Sequence, residues 1–195
     1  MKKKALISLV ASALVSLALP SSALATGIPV GAPPSSHYTV QPQPPAGSCH
    51  YTFTATKEPL PDPKCTPGAT NPNVTQANIY STICKAGYTA TIRPSVTITG
   101  KEKNLNAVSY GNTNSLRNQE YDHFLPLEVG GAPNDARNLW VEPQAIGSHA
   151  LTVNNDKDKI ENKLHAAICS GKISLVDAQV AITTNWTTAL SKVKG

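Results

Sequence analysis

The chain has 195 residues, 17 of them basic and 12 acidic, with four cysteines. That length holds one domain and some ornament. Loss of Lys2, Lys3 and Lys4 with an N-terminal signal would lower the net charge from +5 to +2, 14 basic residues against 12 acidic. This excludes bulk positive charge as the means of holding nucleic acid, so any such activity needs a local site.

The first 25 residues have the layout of a secretory signal peptide. Lys2–Lys4 form a basic start, Ala5–Leu19 an apolar run, and Ala23-Leu24-Ala25 a small-residue cleavage signature. The mature protein is then expected to begin at Thr26 and to be secreted, extracellular or periplasmic, with no membrane attachment after cleavage. In an exported chain, four cysteines read as two disulfides with three possible connectivities. The sequential pairing, Cys49–Cys65 and Cys84–Cys169, is preferred. No pair has the C-x-x-C spacing of a zinc ribbon.

Residues 26–48 hold no charged side chain and six prolines, Pro29, Pro33, Pro34, Pro42, Pro44 and Pro45. They are expected to form an extended, polyproline-like linker. His50–Thr54 alternates as a strand would, and Pro59–Pro63 breaks it, so Cys49–Cys65 reads as a stapled hairpin-like loop. Val74–Cys84 is a short helix candidate, with Ile79 and Ile83 at i, i+4. Tyr88–Arg93 alternates as a strand up to Pro94, and residues 96–117 carry no clear period.

The C-terminal part is more legible. Tyr121–Leu127 and Asn138–Glu142 read as strands, joined by a loop containing Gly130-Gly131 and Pro133-Asn134-Asp135. Asp156–Cys169 is expected to be helical, with an Ile160, Leu164, Ile168 stripe, stopped by Gly171. Ser174 and Asp177 have capping-box spacing for a second helix reaching about Lys192, burying Val176, Val180, Trp186 and Leu190. The expected class is α+β: a ββα hairpin-plus-helix core, a second C-terminal helix and a disulfide-stapled N-terminal extension, together spanning 49–195.

The string Asp122-His123-Phe124-Leu125-Pro126-Leu127-Glu128-Val129-Gly130-Gly131, followed by Asn138-Leu139-Trp140, resembles the HNH (ββα-metal) endonuclease family. The resemblance extends to exported HNH-like proteins through Ile83-Cys84, Gly87-Tyr88-Thr89, Lys157-Asp158, Glu161, Leu164-His165 and Gly171-Lys172. It implies a secreted, metal-dependent endonuclease of low sequence specificity, acting on DNA or RNA. Asp122 would be a metal ligand, His123 the base that activates water, and Asn138 the residue that orients the histidine. Phosphodiester hydrolysis needs such a base and a cation on the phosphate.

The family's last ligand, at the start of the helix, has no histidine here. Asn155 matches best by position, with its neighbour Asn154 and with Asp158, His165 and His149 as further candidates. An oxygen-rich set favours Mg²⁺, with Mn²⁺ or Zn²⁺ as alternatives. If the helix includes residue 155, then Asn155, Asp158, Asn162 and His165 share one polar face. His165 would lie about 15 Å along the axis from Asn155, too far to share one ion. Arg137, Lys157 and Lys159 flank the motif as candidates for phosphate contact. The chain is expected to be a monomer with a nucleic-acid substrate. The competing readings are a non-catalytic secreted binding module on the same scaffold and, ranking last, an exported toxin.

Overall fold

The computed structural model describes residues 27–146 and 155–193. The expected signal peptide and the candidates His149 and Asn154 lie outside these residues. At the centre is an antiparallel hairpin of β3 (Glu120–His123) and β4 (Leu139–Glu142), with Asp122 opposite Trp140 and His123 opposite Leu139. The first strand is shorter than the sequence suggested, because Pro126 cannot donate to a ladder and a 3-10 turn takes over at Leu127–Val129. Helix α3 (Asp156–Cys169) follows β4, and α4 (Leu175–Asn185) continues as a 3-10 turn over Trp186–Lys192. Among the described residues the molecule is thus a mixture of helices with two small antiparallel sheets.

The core runs from this hairpin into the C-terminal helices. Trp140, Phe124, Leu125, Leu164, Ile168, Ile182 and Trp186 belong to one buried cluster. The rings of Phe124 and Trp140 meet edge to face with centroids 6.3 Å apart. On α3, Leu164 and Ile168 are buried and Ile160 packs at the cluster's edge. Of the four residues expected to be buried on the second C-terminal helix, Trp186 is buried and Leu190 packs against the cluster, but the two valines are not. Val176 and Val180 are 42% and 37% exposed, while Leu175, Ala178, Ala181 and Ile182 are buried.

Two other elements differ from the sequence expectation. Tyr88–Arg93 is not a strand: Tyr88–Ile92 forms the one-and-a-half-turn helix α1, starting after Gly87 at φ +80° and ending before Pro94. Five residues are too few for periodicity to separate strand from helix. The unassigned stretch contains α2 (Val96–Ser109), whose buried face is polar: Glu102, Asn106 and Ser109. Asn106 Oδ1 accepts from the Val141 amide at 2.8 Å, and Asn106 Nδ2 donates to Gln43 Oε1 at 2.9 Å. A helix that buries hydrogen-bonding side chains gives no apolar stripe to read.

Those bonds also correct the expectation for the proline-rich segment. Residues 27–48 lack regular structure beyond a bridge at Val30, as their composition demands, yet they lie along the domain instead of standing away from it. Gln41 donates its amide to Glu102 Oε1 at 2.7 Å, Tyr38 its hydroxyl to Ile92 O at 2.7 Å, and Asn134 Nδ2 donates to Thr39 O at 2.8 Å. Disulfides Cys49–Cys65 and Cys84–Cys169 follow the preferred sequential pairing. The first staples a short hairpin of β1 (Thr52–Phe53) and β2 (Pro59–Leu60); the second ties the end of α3 to the 3-10 turn Gln76–Ser81 and its exit. Among the described residues no helix is long and apolar enough to cross a membrane.

Candidate active site

Strand β3 ends on Asp122-His123, and both residues line one cleft. His123 is buried, and its Nε2 lies 2.9 Å from the carbonyl oxygen of Pro133 in the loop between the strands. A carbonyl only accepts, so Nε2 carries the hydrogen and Nδ1 carries the lone pair. Burial pushes the imidazole down to about 4, with the charges of Arg93 and Lys157 adding to the effect against Asp122 and the Pro133 bond. At neutral pH the ring is therefore an uncharged base of fixed tautomer.

The loop that carries Pro133 is held by Asn138. Its side chain is fully buried; Oδ1 accepts from Leu125 N (2.9 Å) and Ala69 N (3.2 Å), and Nδ2 donates to Leu125 O (3.0 Å) and Ala132 O (2.9 Å). All the hydrogen-bonding capacity of the donor group and both acceptor directions are satisfied. Gly131 is required by this packing, since a Cβ there would lie 1.8 Å from the Leu125 carbonyl oxygen. Gly130, at φ +82°, turns the chain into it.

Asp122 faces Lys157, a residue of the first turn of α3. The Lys157 ammonium contacts Asp122 Oδ2 and Glu161 Oε1, donates to His123 O at 3.1 Å, and lies 3.9 Å from Glu142 Oε2. Lys157 is only 1% exposed, so it is no phosphate-contacting surface lysine. A lysine here is doubly unfavourable, being desolvated and at the positive end of a helix. The carboxylates are what make it tolerable. Burial would raise Asp122, but Lys157 holds it below its ordinary value. One ammonium is too little for the rest. Burial, with repulsion from Asp122, pushes Glu161 up to about 8 and Glu142 well above the usual range, although Lys157 opposes both. Glu120 stands directly opposite Glu142 across the hairpin and is pushed up to about 7 by burial, Asp122 and Asp158.

Asp122 and His123 open on a cleft of about 40 Å³, shared with Thr89, Arg93, Glu128 and Glu161. Among the described residues the exposed Arg93 guanidinium makes no hydrogen bond or ion pair. Sequence reasoning missed Arg93 because it sits at the end of the helix misread as a strand. Glu161 was visible only as part of the family-like pattern, one turn from Lys157.

The other candidates are distributed differently. Asn155 is the N-cap of α3: its Oδ1 accepts from Asp158 N at 3.0 Å, and Asp158 Oδ2 accepts from Asn155 N at 2.9 Å. Its Nδ2 donates to Glu142 Oε1 at 3.1 Å, joining the cap to the acidic cluster. Neither Asn155 nor Asp158 lines the cleft. His165 donates from Nε2 to Ile83 O at 2.8 Å, and its ring lies beside Cys84 and Cys169, with donor atoms within 4.8 Å of one another. Those two sulfurs are bonded to each other, so neither is a thiolate ligand. Arg137 is paired with Asp135 at 2.6 Å, Lys159 with Asp156 at 2.7 Å.

The donors around Asp122 are of a kind that could hold a divalent cation. They are hard carboxylate oxygens, they outnumber the cation beside them three to one, and Glu142 Oε2 is buried with no hydrogen-bond partner among the described residues. Asp122 and Glu161 are the pair that converge on one point. Comparison of the chain with protein-family models, with curated proteins and with solved structures finds no match to any of them.

Proposed function

We propose that this protein is a secreted, metal-dependent endonuclease of the HNH type, hydrolysing phosphodiester bonds of DNA or RNA with little sequence preference. The observation that carries the reading is the state of His123. Its Nε2–H is fixed on the Pro133 carbonyl and burial keeps the ring neutral, which leaves Nδ1 as the ring's proton acceptor in a residue that shares its cleft with Asp122 and Glu161. The element order β3, loop, β4, α3, with Asp122 and His123 on β3 and Asn138 just before β4, supports the reading.

In this reading His123 takes a proton from the attacking water, and Asn138 holds the loop that orients it. Asp122 and Glu161, ahead of Asn155, hold a cation, Mg²⁺ first, which when bound would neutralise the phosphate and the leaving oxygen. Arg93 at the rim supplies a positive contact for a non-bridging phosphate oxygen. The hypothesis is tested with residues 26–195, disulfides formed, incubated with supercoiled plasmid and Mg²⁺, Mn²⁺ or Zn²⁺. Nicking that is lost with EDTA and in His123→Ala supports it, and Arg93→Ala is expected to raise KM more than it lowers kcat. Binding of plasmid without nicking in every metal would instead favour the secreted binding module.

A further inference from the structure

We propose that Lys157 is a built-in occupant of the cation site, and that a divalent metal binds at Asp122 and Glu161 only by displacing its ammonium. The proposal rests on the cation part of the reading above and is independent of whether the protein cleaves nucleic acid.

The geometry makes the two cations mutually exclusive. Asp122 Oδ2 and Glu161 Oε1 both converge on Lys157 Nζ. A divalent ion bound by the same two oxygens sits about 2.0–2.6 Å from each, which is the space the ammonium fills. Glu142 Oε2 marks the same point: it is buried, accepts no hydrogen bond among the described residues, and stops 3.9 Å from Nζ. A singly charged ammonium with fixed tetrahedral donors serves two oxygens and one carbonyl and leaves the third carboxylate short. A divalent ion at the position of Nζ would take Asp122 and Glu161 directly, and Glu142, 3.9 Å away, would join its shell only by moving closer or through a water.

The lysine also supplies positive charge to the cluster when no metal is bound. Three carboxylates buried together at the start of a helix would repel one another strongly, and one cation inside the cluster offsets part of that. Lys157 therefore holds the site open in shape and lowers its affinity for metal, because binding must break an ion pair before it forms new ones. Among the described residues Lys157 is the cation in contact with Asp122 and Glu161; Arg93 lies at the cleft's rim, His165 of α3 bears on Glu128, and the surrounding acids are Glu120, Glu128 and Asp158.

The test uses Mn²⁺ alone, without nucleic acid, on the disulfide-bonded protein. Mn²⁺ affinity is read by electron paramagnetic resonance of the free ion, and melting temperature is followed with and without the ion. Lys157→Met should bind Mn²⁺ on the order of tenfold or more tighter than the parent protein. It should also melt lower without the ion and regain the loss with it. Lys157→Arg, which keeps a cation in place, should not gain affinity, and Asp122→Asn added to Lys157→Met should abolish the gain. Should Lys157→Met not fold, Lys157→Gln serves as the neutral variant. Folding of either only in Mn²⁺ supports the proposal; failure of both to fold at any Mn²⁺ concentration overturns it. Equal or weaker Mn²⁺ binding by the neutral variant also overturns it. Absence of plasmid nicking by the parent protein would count against the nuclease reading and leave this result unaffected.

Discussion

Replacing Asn138 by alanine removes four hydrogen bonds at a site with no access to bulk water. The variant leaves the Leu125 and Ala69 amides and the Leu125 and Ala132 carbonyls without their partner. Each unsatisfied buried group costs about 1–3 kcal/mol. Entry of a water into the vacated amide volume recovers part of that, so the expected loss is about 3–5 kcal/mol. For a chain of this size the melting temperature should then fall by roughly 8–15 °C. Urea unfolding with linear extrapolation gives the free energy directly. Asn138→Asp preserves the shape but loses both donors and buries a charge, so it should be comparably destabilised at neutral pH and recover at acid pH. The loop also carries the Pro133 carbonyl, so nicking should fall well below the melting temperature of the variant. A loss under about 1 kcal/mol for Asn138→Ala would refute the claim that this side chain holds the loop.

Gly131→Ala is expected to cost more than about 3 kcal/mol, because its Cβ would overlap the Leu125 carbonyl oxygen at 1.8 Å and that atom is backbone, unable to give way; thermal melting checks it. Removing the Cys84–Cys169 disulfide by double serine substitution should destabilise by about 4.5 kcal/mol, against about 3 for Cys49–Cys65, since the closed loops differ in length, 85 against 16 residues. Stability of the metal-free protein should fall as pH rises from the ordinary carboxylate range toward about 8. Glu120, raised to about 7, and Glu161, raised to about 8, contribute stability that is complete below the ordinary carboxylate range and is lost as pH rises through those values. His123, held at about 4 when folded, contributes the opposite slope between about 6.5 and 4, and one histidine offsets only part of the two acids. Denaturant melts across that range measure the net slope, and a rise in stability from about pH 5 to about pH 8 would contradict it.

The central hairpin and α3 were legible because their signals are local. The Asn138–Glu142 strand, the Asp156 start and the Gly171 stop each depend on neighbours in sequence, and the sequential cysteine pairing needed no long-range knowledge. Elements whose stability comes from distant polar contacts were not legible. Helix α2 buries Glu102 and Asn106 against the proline-rich segment and β4, so its pattern looks like that of a solvated loop. The proline-rich segment looked like a spacer for the same reason, since its partners lie about sixty or more positions away. At the candidate site, Asp122, His123 and Asn138 belong to a motif that is local in sequence and stands out before the fold is known. Lys157 was read as a surface cation because charge at a helix start is usually solvated, and nothing in its own neighbourhood reveals the carboxylates from β3 and β4. Asn155 was sought as a ligand where a cap was needed, the two roles asking for the same residue type at the same place.

The reading of this chain as a nuclease depends most directly on His123. Supercoiled plasmid incubated with the disulfide-bonded protein and Mg²⁺ or Mn²⁺ should be nicked, with activity removed by EDTA. His123→Ala should abolish nicking while melting close enough to the parent protein to remain folded at the assay temperature, and His165→Ala should leave it in place. Nicking that persists in folded His123→Ala, or no nicking by the parent protein in any divalent metal, would contradict the account.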